Sequence, residues 1–135
     1  MDQHMDQHLD GPAGQLKRVR QEIEAACREA GRDAASVTLV AVSEFGRNVR
    51  ENGSFGTDHG RGNAMFVMGR NIAGGRVMTF NWQPLARENL ESGQDLKVTI
   101  DHRDVLAEVV KNRLANPNVG IVFPDFVPTT RGVTK

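Results

Sequence analysis

The chain has 135 residues, enough for one domain with a buried core. Its 17 basic and 17 acidic residues give a formal net charge of zero, so it lacks the electrostatic footprint of a nucleic-acid-binding or anionic-membrane-binding protein. The single cysteine, Cys27, excludes an internal disulfide and a cysteine-based zinc site. No stretch has the length of a membrane-spanning helix, and the polar, acidic N-terminus is unlike a secretion signal, so we expect a cytoplasmic protein.

An amphipathic helix is predicted over 13–30, after a polar segment. Residues 1–12 repeat Met-Asp-Gln-His and end in a Gly-Pro breaker, which indicates a disordered tail whose Asp and His side chains would bind a metal weakly at most. In 13–30, apolar residues recur at helical spacing, and Gly31 stands where a C-terminal cap belongs. Cys27 lies on the apolar face, which favours a core position over a nucleophile.

The remaining chain is predicted to contain short strands and a second helix. The apolar run 37–42 indicates a strand buried on both faces of a sheet, and 43–63 read as a long glycine-rich loop. The later predicted elements are strands at 64–68, 76–80 and 96–100, a helix capped by Asp101 or Asp104 with an apolar stripe of Val105, Leu106, Val109, Val110 and Leu114, a strand at 120–123 and a tail at 127–135. We therefore predict a small α/β fold with an incomplete sheet, in which 13–126 form a single composite domain.

Residues 16–43, above all 30–33 (Ala-Gly-Arg-Asp) and 36–43 (Ser-Val-Thr-Leu-Val-Ala-Val-Ser), resemble the start of the pyridoxal phosphate homeostasis proteins. In that family the residue after the equivalent of Ser43 is the lysine that forms a Schiff base with the cofactor. This chain has Glu44 there. The resemblance therefore implies a helix and a strand, and pyridoxal phosphate is not expected.

A second resemblance covers residues 43–135. Its motifs lie in order at 43–47, 50–54, 56–60, 69–75, 95–105 and 123–126. They are similar to the C-terminal part of an uncharacterised bacterial family of sulfatase-like proteins, domain of unknown function 1501, in the alkaline phosphatase superfamily. The two resemblances meet at 40–43, which predicts a chimera joined at that strand, of natural or designed origin.

The second resemblance implies a metal site at Asp58 and His59. In the alkaline phosphatase superfamily an Asp-His-Gly segment after a strand supplies ligands to a two-metal site, and a carboxylate with an imidazole suits zinc or manganese. The nucleophile and the other acidic ligands of that superfamily belong to the N-terminal part, which this chain does not resemble. Arg47 and Arg50 could grip an oxyanion, although a solvated or ion-paired loop is the favoured interpretation.

Three functional hypotheses follow from the sequence. The leading one is a non-catalytic protein that binds a protein partner, as an inhibitor or antitoxin-like molecule, because an incomplete site lacks the transition-state contacts of catalysis. The alternative is a remnant of a metal-dependent phosphatase or sulfatase centred on Asp58 and His59. The third is a composite without an evolved activity. Oligomeric state stays open, although an exposed sheet edge at the junction would favour dimerisation.

Overall fold

The structure is a computed structural model that describes residues 11–135, so most of the predicted tail 1–12 lies outside the described residues. The chain divides into two compact units, with the boundary between Thr38 and Leu39. The helices are α1 (Pro12–Glu29), α2 (His102–Arg113) and α3 (Val119–Val122), with 3₁₀ turns at Ala34–Ser36 and Arg87–Asn89. The strands are β1 (Thr38–Ala41), β2 (Gly46–Glu51), β3 (Thr57–Gly60) and β4 (Phe66–Gly69). This mixture of helices and short strands confirms the predicted small α/β fold.

Helix α1 is the predicted amphipathic helix, and local sequence sets both of its ends. Pro12 begins it, because proline has a helical φ and needs no hydrogen bond in the first turn. Gly31 ends it at a φ of +61°, in the left-handed region that glycine tolerates. The N–H of Arg32 then donates to the carbonyl of Cys27 at 2.8 Å. The predicted cap at Gly31 and the predicted burial of Cys27 are both confirmed.

Among residues 11–135 the strands form two separate two-stranded sheets. β1 pairs with β4, and β2 pairs antiparallel with β3. The prediction that 37–42 is buried on both faces is wrong. β1 is only half-buried and ends in an exposed residue, because its sheet has a single other strand.

The predicted loop 43–63 is in large part the β2–β3 hairpin. Asn52 organises its tip, because its Oδ1 accepts hydrogen bonds from the backbone N–H of Ser54 at 2.9 Å and of Gly56 at 3.1 Å. Most residues of both strands are polar and half of them are exposed, so the strands lack the apolar alternation by which a strand is recognised.

Glycines allow the hairpin to approach the chain around it. A Cβ atom at Gly46 would lie 2.1 Å from the carbonyl oxygen of Gly62, and one at Gly62 would lie 2.3 Å from the carbonyl oxygen of Leu96. Both distances are far inside van der Waals contact, so this backbone packing requires glycine at both positions.

Three other predicted strands are wrong. Residues 76–80 and 96–100 do not form strands, and 120–123 are largely occupied by helix α3. The reason is common to all three, because a short apolar run does not by itself distinguish a strand from a helical turn or an irregular segment.

The core of the 39–135 unit is small and contains charge. Its buried side chains are those of Ile72, Ala107 and Val133, together with the acidic Asp104 and Glu108. The most buried face of α2 is therefore the acidic one, whereas Leu114 of the predicted apolar stripe is 69% exposed.

Candidate functional site

The two predicted metal ligands, Asp58 and His59, are neighbours on β3. Side chains alternate along a strand, so the two point to opposite faces of the hairpin. Oδ1 of Asp58 accepts a hydrogen bond of 2.8 Å from Nδ2 of Asn52. The ring of His59 stacks on Phe45, with 4.0 Å between the centroids and 21° between the planes. The hairpin thus separates the two side chains.

Arg47 lies opposite His59 in the hairpin register and shares its face. The Arg47 guanidinium lies 5.0 Å from the centroid of Phe45, and its NH1 donates to the carbonyl of Thr57 at 2.6 Å. Phe45 is therefore contacted by an imidazole and a guanidinium together. The side chain of Arg47 thus contacts the ring of Phe45 and the backbone of Thr57.

These residues do not fit a catalytic metal site. Among residues 11–135, no three His, Cys, Asp or Glu side chains lie close enough to hold a metal ion, and catalytic zinc sites ordinarily use three protein ligands. His102 lies at the start of α2, with its Nδ1 3.8 Å from Oδ1 of Asp101. His4 and His8 fall outside the described residues. No step through a metal follows from this geometry.

A cluster of charged side chains that the sequence did not predict lies on α2. Asp104 is 3% exposed, and its Oδ2 accepts hydrogen bonds from Nε of Arg131 at 2.8 Å and from NH2 at 2.6 Å. The other oxygen, Oδ1, accepts from the backbone N–H of Thr129 at 2.8 Å. Burial of a carboxylate is costly, and here it is offset by a guanidinium and a backbone donor.

Glu108, one helical turn further along, binds the backbone of the same segment. Its carboxylate accepts hydrogen bonds from four consecutive N–H groups, those of Arg131, Gly132, Val133 and Thr134. The bonds from Gly132 and Val133 are both 2.8 Å long. We call Asp104, Glu108 and the bound residues 129–134 the C-terminal clasp. Most of the segment predicted as a tail, 127–135, is therefore fastened to α2.

The sequence does contain a signal for the clasp. Asp104 and Glu108 stand four residues apart in a helix that is otherwise apolar around them, so both project from one face. If such a face is buried, both carboxylates need donors. The signal does not say which donors, because Arg131 is 27 residues away from Asp104.

The N-terminus of α2 is held by a second, more exposed ion pair. Asp101 is the N-cap, which settles the alternative between Asp101 and Asp104, and it accepts a hydrogen bond of 2.9 Å from the backbone N–H of Arg103. The side chain of Arg103 also donates to it, from Nε at 3.0 Å and from NH2 at 2.7 Å. These side-chain hydrogen bonds are the main cause that lowers the pKa of Asp101 from 3.8 to about 2.

A groove lies on the surface between the second 3₁₀ turn and residues 96–99. Its wider end is a cavity of about 540 Å³ with charged walls, including Arg61, Glu88, Glu91 and Lys97. Its narrower end is lined by apolar side chains, including Trp82, Pro84, Leu85, Leu90 and Leu96. Gln83, Asn89, Leu90 and Lys97 line both ends, so the two ends adjoin, and we call them together the Trp82 groove.

A family model described as protein of unknown function (DUF1501) matches residues 2–114. The chain belongs to DUF1501. No curated protein and no solved structure matches it.

The DUF1501 match begins upstream of the predicted junction at 40–43, and so includes the segment that resembles the pyridoxal phosphate homeostasis proteins. That resemblance, the sulfatase-like relationship and the chimeric origin stay predictions. The match contains Asp58, His59 and the two acids of the clasp, and it ends before 129–134. In the part of the chain that the structure describes, no helix is both long and apolar enough to cross a bilayer.

Proposed function

We propose that this DUF1501 chain acts by binding another protein, as an inhibitor or antitoxin-like partner, and that the Trp82 groove is the binding surface. The observation that carries the proposal is the exposure of two large apolar side chains in one groove. Trp82 is 48% exposed and Leu85 is 52% exposed. Tryptophan is among the residues most enriched at the energetic centres of protein interfaces.

The balance of buried and exposed apolar side chains supports the same proposal. Within 11–135, fourteen large apolar side chains are exposed, and no side chain is fully buried. Each square ångström of apolar surface that a partner covers contributes roughly 25 cal/mol. A bound protein would therefore supply burial that the chain does not supply itself.

The walls of the groove indicate what such a partner presents. Arg61 and Glu91 form an ion pair at the charged end, and Lys97 lines both ends. A partner segment with an apolar side chain beside Trp82 and a carboxylate near Lys97 would match both ends. Charge placed in this way fixes register and excludes other partners more than it adds affinity.

The tryptophan provides a direct measurement of binding. Trp82 is the only tryptophan and the chain has no tyrosine, so its fluorescence reports on this groove alone. A partner purified with the chain from the source cells is expected to shift the emission to shorter wavelength in a saturable titration, because the indole loses contact with water.

Matched variants distinguish binding at the Trp82 groove from binding through exposed apolar side chains in general. Trp82→Ala is expected to weaken binding by about 30-fold, which corresponds to the loss of roughly 2 kcal/mol at a hot spot. Phe55→Ala removes an aromatic side chain that is 91% exposed at the hairpin tip, and is expected to change affinity by less than about twofold. A partner that binds Trp82→Ala as tightly as the wild type, or the failure to recover any saturable partner, would refute the proposal.

A further inference from the structure

Asn52, at the tip of the β2–β3 hairpin, is followed by a glycine, and no other asparagine of the chain is. An Asn-Gly pair is chemically reactive, because the glycine nitrogen meets little steric hindrance when it attacks the side-chain amide before it. Gly53 is exposed, and a Cβ atom there would have no neighbour within 4 Å. Within residues 11–135 its N–H has no hydrogen-bond acceptor, whereas the other N–H groups from Asn52 to Gly56 all donate. The attacking group of this reaction is therefore free.

The reaction is an intramolecular acyl transfer with water as the only other reactant. The Gly53 nitrogen attacks Cγ of Asn52, so that a new C–N bond closes a cyclic imide. The bond between Cγ and Nδ2 breaks, and the proton of the Gly53 nitrogen leaves with the ammonia. Water then opens the imide at either carbonyl group. The result is an aspartate at position 52, with a normal or a β-linked (isoaspartyl) backbone.

The hairpin restrains the amide that has to react. Oδ1 of Asn52 accepts from two backbone N–H groups, and Nδ2 donates to Oδ1 of Asp58 at 2.8 Å. The backbone of Asn52 is also held, since its N–H donates to the carbonyl of Gly56 at 2.8 Å and its carbonyl accepts from Phe55 at 3.3 Å. The side chain must leave its partners before Cγ can turn towards the Gly53 nitrogen. Conversion therefore follows a local opening of the tip.

The product changes the contact with Asp58. An aspartate at position 52 can keep the two backbone donors to Oδ1, but it has no N–H for Asp58. Two carboxylates then face each other where an amide and a carboxylate lay 2.8 Å apart, and like charges at such a separation repel. In the isoaspartyl product the backbone is also longer by one methylene group, which shifts the hydrogen bonds of the turn out of register. Both products therefore weaken the hairpin.

We propose that Asn52 is a self-modification site, whose conversion to aspartate or isoaspartate requires opening of the hairpin tip and then weakens the hairpin irreversibly through repulsion from Asp58. The conversion adds a negative charge to a chain whose formal net charge is zero. The site is separate from the residues that line the Trp82 groove, and the reaction needs no partner protein.

Incubation in mildly alkaline buffer, followed by tryptic mapping, measures the conversion. The peptide 51–61 contains Asn52 and no other asparagine or glutamine, so its gain in mass from amide to carboxylate reports this residue alone. Asn52 is expected to convert faster than every other asparagine, and faster in urea than in buffer. Asp58→Ala frees Nδ2, and should raise the rate several-fold in buffer while leaving the rate in urea unchanged. Gly53→Ala, which the open space around Gly53 allows, should lower the rate several-fold in both solvents.

Asn52→Asp reproduces the product with a normal backbone and tests its effect on the hairpin. Hydrogen exchange of the peptide 51–61 is expected to be about fivefold faster than in the wild type, which corresponds to the repulsion of about 1 kcal/mol between two nearby unit charges in water. Addition of Asp58→Asn supplies an amide donor to the new carboxylate and is expected to restore wild-type exchange. Conversion in buffer at the rate found in urea, an unchanged rate in Asp58→Ala or Gly53→Ala, or wild-type exchange in Asn52→Asp would each overturn the proposal.

Discussion

Arg131 and Asp104 join the C-terminal segment to α2 through two hydrogen bonds to one carboxylate oxygen, 2.8 and 2.6 Å long, although 27 residues separate them. The carboxylate side chain is 3% exposed and the guanidinium side chain 23% exposed. The pair therefore lies largely out of water, where the loss of one partner is costly.

Arg131→Ala is expected to lower the free energy of unfolding by about 3 kcal/mol, because it leaves the Asp104 carboxylate buried without its cation. Urea denaturation measures this difference. The control is Arg61→Ala, which breaks an ion pair whose arginine is 67% exposed and should cost less than about 1 kcal/mol. Similar losses for the two variants would contradict the importance of the clasp.

The ion pair between Asp101 and Arg103 at the N-terminus of α2 predicts how the stability of the fold depends on pH. Because the folded-state pKa of Asp101 is lowered to about 2, its ionised form stabilises the fold above pH 3.8, and this contribution is lost as the pH falls towards 2. Asp101→Asn is expected to be less stable than the wild type near neutral pH, and to match it near pH 2. Thermal melts at a series of pH values compare the two. A difference that persists unchanged at pH 2 would disprove the role of this carboxylate.

The glycine contacts at the hairpin predict a steric effect. Gly46→Ala is expected to destabilise the fold by about 3 kcal/mol, because its Cβ atom would meet a backbone oxygen at 2.1 Å. Gly74→Ala is the control, since a Cβ atom there has no neighbour within 4 Å, and it should change stability by less than about 1 kcal/mol. Chemical denaturation of both proteins provides the comparison, and equal stabilities would show that the hairpin can move away.

The separation of Asp58 from His59 predicts the response to metal. Zinc or manganese is expected to change the melting temperatures of the wild type and of His59→Ala by the same amount, because the Asp58 and His59 side chains lie on opposite faces of the hairpin. Any effect of His4 and His8 would be common to both proteins. A saturable stabilisation that His59→Ala abolishes would instead support the hydrolase-remnant hypothesis.

The parts of the fold that the sequence predicted are those with strong local signals. Helix α1 has apolar spacing, a starting proline and a closing Gly31, and Asp101 caps α2 by contacts with its own neighbours. The position of β1 was predicted correctly. Its burial was not, because burial depends on how many strands join the sheet.

The parts that could not be predicted depend on distant partners. The β2–β3 hairpin has polar strands, and it is held by backbone hydrogen bonds to residues outside it, such as the one from Val49 to the carbonyl of Gln94. The clasp reverses the ordinary rule that acidic side chains face water, because the Arg131 side chain and five backbone N–H groups come from a segment far along the chain. Asp58 and His59 lie on opposite faces because side chains alternate along a strand. The sequence predicted a loop at 43–63, and a loop does not imply this alternation.

The placement of Val133 in the core has a kinetic consequence. Ile72 and Ala107 lack one of their few buried companions until residues 129–134 have left the ribosome, so the 39–135 unit is expected to complete its folding only after that point. Contacts of large sequence separation, such as the one between Arg76 and Gly132, 56 residues apart, slow folding through the entropy of loop closure. Until then the carboxylates of Asp104 and Glu108 lack the donors of this segment, so we expect α2 to keep both of them in water.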